Sequence, residues 1–289
     1  MNLIEDLKFQ YKIGNVGVRL IFWNLLLFSV PEVFFAVAKL FHVDVDYLNF
    51  VSLSTNLSDL KWKPWSILSY AFFHAGIIHL VFNMLMLHFT TRLFLTFFTQ
   101  KQLLVVYLLS AIFSGLLYLV GYHYIPALSN VSTSLVGASG AIMAILIATT
   151  TYQPFMDVRL ALFGKVKLWQ IAILLLFLDL VQLPMNNTGG HIAHLGGAFF
   201  GYIYIKLLQN GTDLSKIVDS LLNLLSKKQS TPFKKVHVNP KKPAVKTESK
   251  IVVKDKTQQQ LDEILDKISQ SGYDSLTKEE KEFLFKAGK

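Results

Sequence analysis

Six stretches of the chain, roughly 18–40, 66–90, 103–122, 135–152, 168–184 and 190–209, are apolar runs of about the length a membrane-crossing helix needs. This is the feature that most limits the possible folds. Only 16% of the 289 residues are charged and the mean hydropathy is +0.43, whereas a soluble protein of this size carries more charge. The charge is also unevenly placed. Residues 211–289 hold 16 of the 28 Lys/Arg and 11 of the 19 Asp/Glu, so a polar tail follows the last run. The expected fold is an all-α membrane protein: a six-helix bundle over 18–210 behind a segment at 1–17, then a small helical tail. The first run is too long for a cleavable signal peptide, follows a polar amphipathic start and lacks a small-residue cleavage site. Without cysteine there is no disulfide framework and no thiolate metal site.

Basic residues in short loops set orientation. Lys8, Lys12 and Arg19 precede the first run, Arg92 and Lys101 separate the second from the third, and Arg159, Lys165 and Lys167 separate the fourth from the fifth. The opposite loops hold Lys39, Lys61 and Lys63 against Asp44, Asp46 and Asp59, and no Lys, Arg, Asp or Glu lies in 121–134 or 184–190. The pattern predicts both termini inside, with 41–65 outside. The second, fourth and sixth spans then all run from outside to inside.

Each of those three spans carries polar residues near its start: "FFHAGIIHLVFNMLML", "GASGA" and "GGHIAHLGGAFFGY". His79, Asn83, Ser139 and His194 are therefore expected at one depth, on the order of 10 Å below the surface at ~1.5 Å per helical residue. Such residues are costly in lipid and normally face the bundle interior or a watery cavity. Their chemistry is complementary. A serine hydroxyl becomes a nucleophile when an adjacent base takes its proton, histidine titrates in the right range, and backbone N–H, Asn and His groups can hold a developing oxyanion. His79 and Asn83, four apart, share a helix face. Gly137 and Gly140 free the backbone around Ser139, and Gly197 with Gly201 forms a G-x-x-x-G pair that lets the sixth helix press on the fourth.

With G-x-S-G at 137–140, H-x-x-x-N at 79–83 and A-H-x-x-G-x-x-x-G from Ala193 to Gly201, in that order, the sequence resembles the rhomboid family of intramembrane serine proteases over about residues 15–210. The resemblance implies a bacterial-type, multi-pass inner-membrane protein with cytoplasmic termini and no cofactor. It also implies a Ser139–His194 dyad, with Ser139 attacking and His194 as base, and oxyanion stabilisation by His79, Asn83 and the Ser139 N–H. His74 matches a family histidine and is expected to line the site. Some positions depart from the pattern. Met143 stands where an aromatic often stacks on the histidine, Ser66 follows Trp65 where Trp-Arg is common, and a late Gly-x-x-x-Glu in the second span is missing.

Other roles are open to the same residues. Ser139 can be a small packing residue, Asn83 an interhelical hydrogen bond, and His191 competes with His194 as the base. Asp179 can orient a histidine as the third member of a triad, or cap or pair locally; the family does not need it. His74, His79, His191 and His194 can converge on a metal, but no H-E-x-x-H, cysteine or neighbouring carboxylate in the sequence supports one. A non-catalytic binder of client helices is the rival function, and no internal repeat points to a transporter. The expected partners are membrane-protein substrates and the lipid bilayer, not nucleic acid. In the tail, 213–228 is amphipathic and 227–250 reads as a linker. Leu261, Ile264, Leu265 and Ile268 mark a helical face, and Thr277 with Glu280 a capping box. Residues 251–289 would then form a small hairpin that docks a partner.

Overall fold

The computed structural model describes residues 2–160, 164–216, 218–219 and 256–287. Helix α1 (Leu3–Ile13) is capped by the Asn2 side chain and buries none of its residues. Five-residue loops and longer segments then separate helices that occupy all six apolar runs: α2 (Val16–Leu40), α3 (Ile77–Phe94), α4 (Gln100–Tyr124), α5 (Ser139–Tyr152), α6 (Leu168–Gln182) and α7 (Thr188–Gln209). Helices α2, α3 and α4 are long and apolar enough to cross a membrane, while α5 and α6 are shorter apolar helices of 14 and 15 residues. The protein is an all-α membrane bundle, as its sequence predicts.

Two boundaries depart from that prediction. The second span does not begin at 66. Residues Ser66–Ser69 and Tyr70–Phe72 form short helical turns, and the long helix starts only after Gly76, which is extended at φ 172°. This stretch is held by protein rather than crossing lipid, since the Tyr70 hydroxyl donates to the Ala111 carbonyl at 2.6 Å. The fourth helix likewise starts at Ser139 and not at 135. Leu53–Ser54 (β1) pairs antiparallel with Ser134–Leu135 (β2), and Gly137 then takes φ +129°, a value that favours glycine. A second pair, Asp157–Leu160 (β3) with Gly164–Lys167 (β4), forms a hairpin in the fourth-to-fifth connection.

The bundle is built around α5, which is buried from Gly140 through Thr149. Its outer members bury single seams. In α2 these are Gly17, Leu20, Asn24 and Phe28, at helical spacing, while Leu26, Val33 and Phe34 stay exposed. Helix α6 buries only Leu168, Ala172 and Asp179 and exposes Ile173, Leu174, Phe177 and Leu180. Exposed apolar faces of this kind suit lipid, where the helical backbone satisfies its own polar groups. Asn24, which sequence reasoning passed over, is a buried tie: its amide donates to the Leu20 carbonyl at 2.8 Å and to the Tyr107 hydroxyl at 3.3 Å.

The closest helix pair is α5 against α7. A Cβ added to Gly197 would overlap the Gly140 carbonyl, and one added to Gly201 would overlap that of Ala144. The G-x-x-x-G pair thus lets two backbones touch, the packing by which membrane helices associate without a hydrophobic driving force.

The tail forms a separate unit, of which helices α8 (Lys256–Ser271) and α9 (Lys278–Ala287) are described. Ile264 and Leu276 are buried, whereas Leu265, expected on the same face as Ile264, is exposed. The capping box is present: the Glu280 N–H donates to Thr277 Oγ1 at 3.3 Å, and the Thr277 N–H to Glu280 Oε2 at 2.8 Å. Lys267 Nζ, 2.8 Å from Oε1, holds the Glu280 carboxyl below its ordinary value. That contribution is present above the unfolded glutamate range, about pH 4.3, and is lost as pH falls through the lower folded value. Amide exchange on the full chain should therefore show the first turn of α9 losing protection on acidification below about pH 4, with Glu280→Gln already less protected at neutral pH. Of the amphipathic 213–228 segment, 214–216 and 218–219 are helical; the rest of it and the 227–250 linker lie outside the described residues.

Candidate active site

Ser139 is the first residue of α5, and this follows from its surroundings in the sequence. Gly137 turns the chain at positive φ, its N–H donates to the Tyr70 carbonyl at 2.9 Å, and Ala138 caps the helix. The first N–H groups of a helix have no carbonyl one turn back to bond, and the macrodipole is positive there. At about 1.5 Å per residue, α5 spans about 21 Å, short of the ~30 Å hydrocarbon layer. Its start is reached by extended chain packed inside the bundle, and non-helical backbone is tolerated at such positions where it lines a cavity.

A cavity of about 690 Å³ lies beside it. Its wall takes residues 134–136, Ser139 and Met143 of α5, His79 and Asn83 of α3, Asp179 of α6, and His191 and His194 of α7. The four residues expected at one level, His79, Asn83, Ser139 and His194, are thus brought together. Their positions along the helices differ from the sequence estimate. Ser139 opens its helix, His79 is third in α3, and Asn83 and His194 are each seventh.

His79 packs across Gly137. A Cβ there would lie 2.9 Å from His79 Cε1, 3.0 Å from Nε2 and 3.7 Å from Ser139 Oγ, so the imidazole and the hydroxyl converge on space that only glycine leaves open. The Ala75 N–H donates to His79 Nδ1 at 3.4 Å. A ring nitrogen that accepts carries no proton, so the His79 proton is assigned to Nε2. Asn83 Nδ2 uses one donor on the His79 carbonyl at 2.9 Å, leaving its second. His74 does not line the cavity. It is buried behind His79, ring edge to ring with centroids 5.1 Å apart. Gly140 and Gly197 serve helix contact, and Gly140 lies against Ser114 and the Ala193 carbonyl.

Asp179, which the sequence left between a triad role and local pairing, engages both histidines of α7. Asp179 Oδ1 lies 2.7 Å from His194 Nδ1 and 2.8 Å from His191 Nδ1. His191 and His194, three apart, present both rings to α6, with centroids 5.8 Å apart. The sequence argument that no carboxylate neighbours these histidines fails in space, because Asp179 arrives from another helix. By donor spacing alone, Asp179, His191 and His194 are close enough to share a cation. As they stand, both ring nitrogens are satisfied by hydrogen bonds to one carboxylate oxygen. Among the described residues, no hydrogen bond joins Ser139 to His194, and His194 Nε2 has no protein partner.

A family model described as "Rhomboid domain" matches residues 61–210, just over half of the chain. Another, described as "Family of unknown function (DUF6576)", matches residues 252–286 in the tail. The chain is 33% identical over 138 residues to Presenilin-associated rhomboid-like protein A, mitochondrial, of Danio rerio, covering 47% of this chain and 35% of that protein. It is 30% identical over 157 residues to RHOMBOID-like protein 12, mitochondrial, of Arabidopsis thaliana, covering 50% and 47%. The matched regions are less than half the length of either relative.

Proposed function

The chain belongs to the Rhomboid family, and from that premise we propose that it is an intramembrane serine endopeptidase that cuts other membrane proteins in or near a membrane-spanning segment. The observation that carries this reading is the convergence of Ser139, His79 and His194 on one cavity at the start of a buried helix. In the proposed reaction, Ser139 Oγ attacks the scissile carbonyl as His194 Nε2 takes its proton. The tetrahedral oxyanion is held by the Ser139 N–H, His79 Nε2–H and the free donor of Asn83. His194 passes the proton to the leaving amine as the C–N bond breaks, then activates water to hydrolyse the acyl-enzyme. No cofactor enters the scheme.

The cavity has one wall from α3 (Phe82, Met86) and another from α6 (Leu175, Leu178). Phe82 and Leu178 are also exposed on the outer surface, which supports entry of a substrate helix from the lipid between them. We assign 18–210 to the protease domain, with both termini on the inner side, and 251–289 to docking. The protein is an integral membrane protein. The names of its two relatives place those proteins in mitochondria, so the expected bacterial inner membrane draws no support from them. Reconstituted with a single-span substrate, the purified protein should release two fragments whose masses place the cut in or near the span. An intact substrate would overturn the proposal. Full capture of that substrate without a cut would favour the binder of client helices instead.

A further inference from the structure

We infer that Asp179 is a positioning residue for His194, fixing its ring by the Nδ1–H bond so that Nε2 faces the serine as a base. His191 is the second hydrogen-bond donor that holds the carboxylate in place. The inference rests on the Ser139–His194 reading and extends it from two residues to a set of four. An ionised carboxylate accepts and cannot donate. Two imidazole nitrogens at 2.7 and 2.8 Å from the same Oδ1 therefore both carry their protons. For His194 this selects the tautomer with a proton on Nδ1 and a lone pair on Nε2, which a general base needs. When Ser139 attacks and His194 takes its proton, the imidazolium forms beside a fixed negative charge. In serine hydrolases, a carboxylate so placed orients the ring and stabilises its charged form without itself taking the proton.

Three further observations fit this role. Asp179 is 5% exposed and is the one ionisable residue that α6 buries. His191 is itself buried and spends its Nδ1–H on the same oxygen, so the carboxylate is held from two points one helical turn apart. Met143, and not an aromatic ring, lines the cavity one helical turn after Ser139, and the bond to Asp179 is the hydrogen bond that restrains the His194 ring.

The competing role is mechanical. A buried polar residue on a sparsely packed helix can serve as interhelical glue, fastening α6 to α7. The two roles differ in what survives an isosteric change. Asp179→Asn keeps volume and hydrogen-bonding capacity but removes the charge and the obligation to accept. A glue should tolerate it, whereas a positioning carboxylate should not.

The test uses the full chain in lipid, with a single-span substrate. Asp179→Asn should lower kcat by about a hundredfold or more, below the ~10⁴-fold effect of the same change in a soluble triad. KM should stay near wild type, and Asp179→Glu should recover part of the rate. His191→Asn should have a smaller effect in the same direction. Wild-type kcat in Asp179→Asn, with Ser139→Ala inactive, would overturn the inference and leave the protease reading standing. Loss of activity in Ser139→Ala and Asp179→Asn alike with an unfolded Asp179→Asn protein would pass the decision to a measurement on unmutated residues. In that measurement, ¹⁵N spectra of the imidazoles, assigned with His194→Gln, should show His194 protonated on Nδ1 in the wild type and in Ser139→Ala. A proton on Nε2 in both would overturn the inference. A wild type that neither cleaves nor captures substrate defeats the protease reading, while the same spectra still decide whether Asp179 sets the tautomer.

Discussion

Replacing Ser139 by alanine should abolish cleavage of a reconstituted single-span substrate while leaving the protein folded and inserted. The change removes one oxygen at the first turn of α5 and adds nothing that the neighbouring side chains must accommodate. Packing there rests on Gly140 against Ser114 and on Gly197 against the Gly140 carbonyl, neither of which involves the Ser139 hydroxyl. Loss of the nucleophile in a soluble serine protease lowers kcat by about 10⁶-fold, with residual catalysis from oxyanion donors and binding alone. A similar loss, at or below detection, is expected here. His194→Ala should do nearly as much, since residues of one nucleophile–base unit are grossly non-additive. The double variant should be no worse than either single one, and rates in detergent-solubilised and lipid-reconstituted protein should agree on the ranking.

Gly197→Val should be the most damaging substitution away from the reacting atoms. At this position even the first side-chain carbon meets backbone, the Gly140 carbonyl, and backbone cannot step aside as a flexible side chain can. Overpacking of a filled core costs about 1–3 kcal/mol, and the upper end is expected because α5 and α7 must separate as units. The chemistry should suffer more than the fold. Gly140 follows Ser139 directly and Gly197 lies three residues after His194 on α7, so separating the helices separates nucleophile from base. Thermal unfolding with activity measured on the folded fraction should show both a lowered midpoint and a reduced kcat. Gly76→Ala is the control. Its Cβ would meet nothing within 4 Å and its φ of 172° suits any residue, so it should stay within about 0.5 kcal/mol of wild type.

Much of this architecture was legible in the sequence because membrane helices announce themselves by length and apolar content, and loop charge sets their direction. Ser139, His79, Asn83 and His194 could be placed in one cluster from topology alone. What hydropathy could not read was the non-helical approach to a span, although "KPWSILSYAFFH" at 63–74 resembles the end of the family's membrane-dipping first loop. Hydropathy does not distinguish the Ser66–Phe72 turns from the start of a span, nor Leu135 of β2 from the first turn of α5, because apolar, buried residues occur on both sides of each boundary. The strand pairing of Leu53 with Leu135 joins residues distant in the chain and leaves no local signal.

Asp179 shows a different limit. Its contacts cross from α6 to α7, over 12 residues to His191 and 15 to His194, and neither span suggests the pairing by itself. The available signal was a lone carboxylate buried in an otherwise apolar helix, which is costly unless it is partnered. Met143 pointed the same way. With no aromatic ring at that position the support of the histidine is expected to be weaker or different, and Asp179 is the carboxylate hydrogen-bonded to it.

The most direct test of the central claim is to treat the lipid-embedded protein with a serine-reactive fluorophosphonate and map the adduct by mass spectrometry. The account requires a single modified peptide carrying the label on Ser139, with labelling lost in His194→Ala although the hydroxyl is still present. Labelling at another serine, or equal labelling of Ser139 with and without His194, would contradict it.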